Sequence, residues 1–423
     1  MKLDGKKLLI LGANAESIPL VLTAKKLGVY TIVTDYNPDA PAKEYADKAC
    51  NVDGIDVDGL VKLAQDEKVD GVLVSVADML IPTYQKVCEK LNLPCYATEE
   101  QVKVLVNKYN FKRTCEKYGI LGIPEYDLDI NDSDEKISKL PFPVLIKPVD
   151  SCSGKGMTVC YDSSSVRQAM EKASKASPTN KFIAERYMTC DDAFMYYTFI
   201  DGKYYLSAMA DRFTNHEQSG LSNVVIGAVY PSKYLDHYYK EYHEKFCKMF
   251  SDLGIRNGVF LVQVFVENGK MFVYDPGFRL QGGAPHILVN AINGFDHREM
   301  LINLALTGSM GDYEMDKLND SNFRGKKAAS IVFLLKKGFI GKISGMDEIN
   351  KLPEVVSVNQ RLYEGDEVYN IGTEQQVFVR IHAVADDAEK LREVMVKLKN
   401  TIKVYDTEGN DMLLTTLDEN IIK

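Results

Sequence analysis

Short apolar runs alternate with amphipathic stretches over residues 6–106. The runs KLLILGA, TIVTDY and DGVLVSV are typical of strands, whereas SIPLVLTAKKLG, DGLVKLAQDEK and LIPTYQKVCEKLN carry apolar residues at helical spacing. Strands that alternate with helices in this way favour a parallel sheet that is covered by helices. The pattern therefore predicts an α/β domain over residues 1–106.

The first turn of this region, GANAES, has some features of a dinucleotide-binding fold. Gly12 lies between a strand and a helix, and Asp35 ends the next strand. The fingerprint GxGxxG is absent, because Asn14 and Ser17 stand where its later glycines would be. Close approach of a pyrophosphate is therefore not indicated, and we do not expect NAD to bind.

Residues 107–189 contain an amphipathic helix, NKYNFKRTCEKYG, and two short strands, PVLIKPV and GMTVCY, joined by the loop DSCSGK. Lys147 ends the first strand, where a charged group is costly to desolvate unless an anion neutralises it. A nucleotide phosphate is such an anion, and serine and glycine in the loop allow backbone N–H groups to approach its oxygens. The alternative is an ordinary turn between two strands.

Two hairpins are predicted in the next segment, residues 190–322. One turns at Asp201 and Gly202, and the other turns at Asn268 and Gly269. Between them the stretch HYYKEYHEKFCKMFSDLG reads as a helix.

The last hundred residues change in character again. They contain the predicted strands KAASIVFLLK, VVSVNQRL and QVFVRIHAVA and the predicted helix DAEKLREVMVKLKN, which together indicate a separate α+β domain. The predicted domains are 1–106, 107–189, 190–322 and 323–423.

Composition narrows the function classes. The 423 residues carry a formal net charge of −9, with 45% hydrophobic and 26% charged residues, as in an ordinary soluble globular protein. Lys and Arg are not clustered, so no nucleic-acid footprint is visible. The first apolar stretch has only six residues, too short for a signal or a membrane span, and we expect a cytoplasmic protein without a membrane partner. The eight cysteines show no zinc-binding spacing.

The order of these features resembles the ATP-grasp superfamily. NKYNFKRTCEKYGILGIPEY is similar to the DK-x-x-f-K helix of that family, and FPVLIKPVDSCSGKGM to its strand and glycine-rich loop. AERYMTCDD is similar to its hinge, and VQVFVENGKMFVYDPGFRLQGG to its metal-binding hairpin. The resemblance covers residues 1–310 or so. It implies a Rossmann-like pre-ATP-grasp domain, a small lid subdomain and a larger subdomain, with ATP between the last two.

The resemblance also implies a set of ATP-binding residues. Lys108 and Lys147 would contact phosphates under the glycine-rich loop, Glu185 and the backbone of the next residues would hold the adenine, and Asp192 would hold the ribose. The full set is Lys108, Lys147, Ser151, Ser153, Gly154, Lys155, Gly156, Glu185, Tyr187, Met188 and Asp192.

The predicted metal-binding hairpin departs from the family pattern. Gln263 stands where the first metal-binding Glu is usual, Asp275 where the second is usual, and Gly277 where Asn is usual. Magnesium draws on one or two carboxylates plus phosphate oxygens, so Gln263 and Asp275 can still hold one Mg²⁺ against ATP. Whether a second ion binds is left open.

Candidate catalytic and substrate-binding residues follow the hairpin. Arg279 can hold a carboxylate or acyl phosphate bidentately, and the resemblance makes Arg279, Lys147 and Asp275 the catalytic set. Arg212 and His286 are further candidates for the acceptor pocket, although an ordinary strand arginine and an ordinary helix histidine are the alternatives. The substrate candidates are Arg212, Arg279, Gly282, Gly283 and His286.

By this resemblance the protein is an ATP-dependent carboxylate–amine ligase that forms an acyl phosphate and releases ADP and phosphate. Residues 323–423 further resemble the C-terminal domain of L-amino acid ligases, which favours an amino acid or peptide substrate. The alternatives are a carbamoyl phosphate synthetase-like kinase of bicarbonate or carbamate, and an ATP-binding protein with weakened catalysis. The expected partners are small carboxylates and amines, and a homodimer is left open.

Overall fold

A computed structural model describes residues 3–149, 156–177, 179–215 and 224–423. The predicted α/β architecture is confirmed, since helices accompany several separate sheets. Among the helices in these ranges, none combines the length and the apolar character that crossing a bilayer requires.

The N-terminal segment forms the predicted parallel sheet. Its strands pair in the order β3-β2-β1-β4, and every pairing is parallel. Residues 8–11 are fully buried because helices cover both faces of this sheet. The elements are β1 Lys7–Leu11, α1 Ile18–Lys26, β2 Tyr30–Thr34, β3 Lys48–Cys50, α2 Val57–Glu67, β4 Gly71–Val74, α3 Ile81–Leu91 and α4 Glu99–Leu105.

The second segment folds into a small antiparallel sheet with helices packed on it. The elements are α5 Lys108–Lys117, β5 Leu121–Gly122, β6 Glu125–Tyr126, α6 Asp134–Ser138, β7 Val144–Pro148, β8 Thr158–Cys160, α7 Val166–Ala176 and β9 Phe182–Arg186. The sheet has the order β6-β9-β7-β8, and α7 supplies an apolar face that includes Val166, Met170 and Ala173. Lys147 and Glu185 thus lie on adjacent strands, β7 and β9.

The third segment contributes the long strands of a ten-stranded sheet. Its elements are β10 Asp191–Ile200, β11 Lys203–Thr214, β12 Val225–Tyr230, α8 Leu235–Glu241, α9 His243–Asp252, β13 Gly258–Glu267, β14 Lys270–Gly277, α10 Pro285–Asn293, α11 His297–Thr307 and α12 Met315–Leu318.

Both predicted hairpins of this segment are confirmed. Asp201 and Gly202 separate β10 from β11, and Asn268 and Gly269 separate β13 from β14. All four turn residues have positive φ, between 50° and 82°, which is the conformation that a tight hairpin turn of this kind requires.

The stretch predicted as one helix between the hairpins is two helices, α8 and α9. The break lies at Tyr242, whose backbone leaves the helical region. The side chain of Tyr242 is buried, and its hydroxyl accepts a hydrogen bond from the backbone N–H of Met271 on β14. A tertiary contact therefore accompanies this interruption of the helix.

The C-terminal segment shares the large sheet. The sheet order is β17-β19-β15-β12-β11-β10-β13-β14-β5, with β21 paired to β15, so that β15 lies against β12 of the preceding segment. The four-domain division stays a prediction. The elements are β15 Lys327–Leu335, β16 Gly338–Ser344, α13 Met346–Ile349, β17 Val355–Gln360, β18 Glu367–Val368, β19 Val377–Ala385, α14 Ala388–Thr401, β20 Lys403–Asp406 and β21 Leu413–Thr415.

Candidate active site

A cavity of about 1,030 Å³ lies between the small antiparallel sheet and the large sheet. Many of the residues predicted from the sequence line it, although they come from distant parts of the chain. They are Lys108, Lys147, Glu185, Tyr187, Met188, Asp192, Arg212, Gln263, Asp275 and Arg279.

The predicted phosphate-binding loop is described only at its end. Ser151, Ser153, Gly154 and Lys155 lie outside the described residues. Gly156 has φ of 78°, and a Cβ atom at this position would lie 2.8 Å from Cγ of Pro148 and 2.5 Å from Cβ of Ala176. Close packing and positive φ therefore both require glycine at position 156.

A network of ion pairs, centred on a buried glutamate, lines part of the cavity. Glu185 is completely buried, and its two carboxylate oxygens each lie 2.5 Å from a lysine ammonium, one of Lys147 and one of Lys112. Lys112 also lies 2.5 Å from Oε1 of Glu125. Burial alone would raise the pKa of Glu185, but the charges of Lys147 and Lys112 outweigh it and hold that pKa below its usual value.

This network positions Lys147. An ammonium group has three N–H donors, so Lys147 can contact Glu185 and still donate to a ligand in the cavity. Glu185 was predicted to hold the adenine, and both of its carboxylate oxygens lie beside lysines in the structure. Lys112 was not predicted as a site residue. Its position one helical turn after Lys108 on α5 is a signal that could have found it.

Gln263 and Asp275 face each other across the hairpin of β13 and β14. They are direct partners in the antiparallel register, so their side chains share one face of the sheet. Oδ1 of Asp275 also lies 3.0 Å from Nζ of Lys108. An amide oxygen and a carboxylate are hard donors that suit Mg²⁺.

The protein alone supplies few ligands at this point. Within the described ranges, no group of three or more His, Cys, Asp or Glu side chains is arranged to hold a metal ion. The donor set of Gln263 and Asp275 fits one Mg²⁺ only if phosphate oxygens complete the coordination.

Arg279 joins the N-terminal sheet to the cavity. Its Nη2 donates a hydrogen bond to Oδ2 of Asp78, which follows β4, and its Nη1 donates to the carbonyl oxygen of Leu280 at 2.8 Å. A Cβ atom at Gly277 would lie 3.5 Å from Oδ1 of Asp78 and 3.7 Å from Cζ of Arg279. A longer side chain at Gly277 would enter the space of this ion pair, which is a physical reason for glycine there.

Asp192 and Arg212 are bound to each other. Nη1 of Arg212 donates to Oδ2 of Asp192, and the hydroxyl of Tyr274 donates to Oδ1 of Asp192 at 2.9 Å. The ring of Tyr274 stacks on Phe265 with 4.4 Å between centroids. Asp192, predicted to hold the ribose, is thus bound by Arg212 and Tyr274 in the structure.

The remaining substrate candidates are Gly282, Gly283 and His286. The carbonyl oxygen of Gly282 accepts a hydrogen bond from Nη1 of Arg380 at 2.8 Å, and that of Gly283 lies 3.1 Å from Nε2 of His382. His286 is buried near the start of α10, and burial lowers its pKa well below the usual value. These three candidates are not among the described residues that line the cavity.

Sequence reasoning missed one wall of the cavity entirely. Asn370 and residues 372–375, which precede β19, line it together with the residues from the large sheet. No motif marks this segment in the sequence. Its contribution depends on the long-range packing of the C-terminal strands.

Known proteins resemble this chain in the region that carries most of the cavity-lining residues. Residues 107–311 match the family model for the carbamoyl-phosphate synthase L chain, ATP binding domain. The formate-dependent phosphoribosylglycinamide formyltransferase of Methanocaldococcus jannaschii is 27% identical over 193 residues, which are 44% of this chain and 48% of that protein. The protein of the same name from Bacillus subtilis is 28% identical over 183 residues, 40% of this chain and 44% of its own length. The match thus spans about half the length of these curated relatives.

Solved structures match over almost the whole chain. An L-amino acid ligase from Bacillus licheniformis has a TM-score of 0.77 at 16% identity, over 96% of this chain and 99% of that chain. A phosphoribosylglycinamide synthetase from Anaerococcus prevotii has a TM-score of 0.75 at 19% identity, over 96% of this chain and 100% of that chain. At these identities the likeness shows a shared fold.

Proposed function

The chain belongs to the ATP-grasp superfamily, and from this premise we propose that it is an ATP-dependent ligase. In this proposal it activates a carboxylate as an acyl phosphate and joins the acyl group to an amine, with release of ADP and phosphate. The partners are small molecules. A cytoplasmic location belongs to the same proposal and is supported by the free thiols of the seven described cysteines.

One observation carries the proposal. Two lysines, an arginine and an amide–carboxylate pair converge on a single cavity from α5, β7, β13, β14 and the turn after β14. Phosphoryl transfer needs positioning and charge neutralisation more than covalent help from the protein. The convergence of Lys108, Lys147, Arg279, Gln263 and Asp275 supplies both.

The proposed reaction has two steps. A carboxylate oxygen attacks the γ-phosphorus of ATP, and the bond from that phosphorus to the β–γ bridging oxygen breaks, so that ADP and an acyl phosphate form. The amine nitrogen then attacks the acyl carbon, loses a proton, and displaces inorganic phosphate. Lys108 and Lys147 neutralise phosphate charge, and Arg279 holds the carboxylate and then the acyl phosphate.

Gln263 and Asp275 would hold Mg²⁺ in this site. When bound, the ion supplies neutralisation of the negative charge that develops on the transferred phosphoryl group. Lys108, which lies 3.0 Å from Asp275, keeps that carboxylate paired when the ion is absent.

In this proposal, the amine that accepts the acyl group is an amino acid or a peptide. The structural likeness of the whole chain to an L-amino acid ligase supports this choice. The match of residues 107–311 to a carbamoyl-phosphate synthase domain favours bicarbonate as the second candidate for the activated group.

The test is oxygen transfer from an ¹⁸O-labelled carboxylate to phosphate. Purified protein is incubated with MgATP and a panel of ¹⁸O-labelled carboxylates, with and without amines, and released ADP and phosphate are analysed. An acyl phosphate intermediate places one ¹⁸O atom in phosphate. ADP that requires bicarbonate alone would favour the second candidate, and ADP binding without any turnover would leave a nucleotide-binding protein without ligase activity.

A further inference from the structure

Two arginines, one buried and one largely buried, lie where the C-terminal segment adds strands to the large sheet. The side chains of Arg361 and Arg380 are 14% and 6% exposed. Arg380 is on β19, and Arg361 directly follows β17, whose last residue, Gln360, pairs with β19. Two guanidinium groups that are always charged are thus held close together away from water.

Neither arginine has its full set of partners. Nη2 of Arg361 lies 2.8 Å from Glu16, and Nη1 of Arg380 donates to the carbonyl oxygen of Gly282 at 2.8 Å. Within the described residues, the Nε atoms of both arginines are buried and have no hydrogen-bond partner. Burial lowers the pKa of Arg380, and the charge of Arg361 lowers it further. The two Nε donors are therefore available to the acceptor atoms of a ligand.

Glu374 partly fills that place. Its Oε2 lies 3.2 Å from Nη1 of Arg361 and 3.8 Å from Nη2 of Arg380, and its side chain is 56% exposed. Glu374 also lines the cavity that Arg279 lines, so it connects the two arginines to that space. It is thus the most exposed and the least tightly held carboxylate of this cluster.

The segment that carries Glu374 is anchored at its far end. Gln376 is completely buried, its Nε2 donates to the carbonyl oxygen of Leu335 at 2.9 Å, and its Oε1 accepts from the backbone N–H of Gly372. The side chain of Glu374 can therefore leave the arginines without any change at the anchor on β15.

We propose that Arg361 and Arg380 form the subsite for the carboxylate of an amino acid acceptor, and that Glu374 occupies this subsite until the acceptor displaces it. This inference rests on the proposed ligase function and adds the chemical class and orientation of the acceptor. The carboxylate of the acceptor lies on the arginine pair, and its amine points toward the cavity, where Arg279 holds the acyl phosphate.

Charge balance selects a carboxylate rather than a phosphate. The ion pairs of the subsite join two guanidinium groups, of Arg361 and Arg380, to two carboxylates, of Glu16 and Glu374. When Glu374 moves into water, one positive charge is left over, which one carboxylate neutralises. A phosphate dianion would add a second negative charge to a poorly solvated site, and this is costly.

The experiment measures binding of amines by calorimetry to the protein loaded with MgADP. The probes are the twenty proteinogenic L-amino acids and phosphoethanolamine, which carries an amine and a phosphate. We expect one or more amino acids to bind and Glu374→Gln to lower their Kd about two- to fivefold, because a competing, half-exposed ion pair is removed. Arg380→Lys is expected to raise the same Kd at least tenfold, since lysine cannot provide the planar pair of donors.

Glu348→Gln, which changes an exposed carboxylate of α13, is the matched control and should leave the Kd unchanged. The Kd of ADP should also be the same in all variants, which shows that they are folded. The inference is overturned if no amino acid binds, if phosphoethanolamine binds more tightly than every amino acid, or if Glu374→Gln leaves the Kd unchanged or raises it. Those results would leave the ligase function standing, provided that ADP binds and ADP release requires a carboxylate and another amine.

Discussion

Replacing Lys147 with methionine tests the central charge of the site. Nζ of Lys147 lies 2.5 Å from Oε2 of Glu185, and its side chain is 17% exposed at the cavity wall. The ammonium therefore has donors left for a phosphate after its contact with Glu185. Methionine keeps most of the length of the side chain and removes the charge and the donors.

The expected loss follows from one charge-assisted interaction. A hydrogen bond to a charged group contributes about 1.5–3 kcal/mol. Since about 1.4 kcal/mol corresponds to a factor of ten, the Kd of ADP should rise between about tenfold and a hundredfold in Lys147→Met. Titration calorimetry with MgADP measures this change directly, and Lys175→Met, at an exposed position of α7, is the matched control.

Lys147→Met has a second expected effect, on the free energy of unfolding at neutral pH. The low pKa of Glu185 stabilises the fold above the ordinary carboxylate pKa, and this contribution is lost as the pH falls through the lower, folded value. Without Lys147, the pKa of Glu185 rises and part of the contribution disappears at neutral pH. Urea unfolding at pH 7 should therefore show a less stable variant. An ADP Kd within twofold of that of the native protein would refute the role given to Lys147.

Three further predictions follow from the site and from its surroundings. Asp275→Asn should abolish ADP formation and leave the Kd of ADP within about tenfold, because the bound ion acts mainly on the transferred phosphoryl group; unchanged turnover would contradict the metal assignment. Arg279→Lys keeps the charge but loses the fork that Asp78 and a carboxylate require, so kcat should fall by about two orders of magnitude while the Kd of ADP stays constant; an equal loss in both would point to misfolding instead. Burial lowers the pKa of His297 to about 3, well below its usual value. Below about pH 6.5 the unfolded chain binds a proton at this histidine and the folded protein does not. The free energy of unfolding therefore falls with falling pH, by up to about 1.4 kcal/mol per pH unit. Between pH 7 and pH 5, the free energy of unfolding in urea experiments should fall by about 2 kcal/mol less in His297→Gln than in the native protein. Equal decreases in the two proteins would contradict this assignment.

Local patterns predicted the parts of the fold that depend on neighbouring residues. The alternation of β1, α1 and β2 and the two positive-φ hairpin turns are encoded within short windows of sequence, and the structure confirms both. The helix over residues 237–254 was only partly right, because the interruption at Tyr242 coincides with a contact to β14, which follows it by about thirty residues.

The site was predictable in its residue types and less so in their partners. Motif order located Lys147, Gln263 and Asp275, and all three line one cavity. Lys112 and Asp78 were missed because their roles come from ion pairs with residues far along the chain. The helical spacing of Lys108 and Lys112 indicates a shared face of α5, but no local pattern records the ion pairs themselves.

The positions of the candidates after β14 also depend on contacts that the local sequence does not record. Gly282, Gly283 and His286 follow the predicted metal-binding hairpin in sequence, which suggested a place in the acceptor pocket. In the structure, the turn after Arg279 directs the two glycine carbonyls to β19 of the C-terminal segment. Only the pairing of that strand with the rest of the sheet reveals this direction.

The pairing of β12 with β15 has a consequence for shortened forms of the protein. Residues 227–230 of β12 bond to β15, which follows them by about a hundred residues. In a polypeptide that stops at residue 322, the apolar strand VIGAVY would become an edge strand. Its backbone N–H and C=O groups on that side would be unpaired and able to bond to another chain. Such a fragment should self-associate edge to edge, so the last hundred residues also protect the rest of the molecule from aggregation.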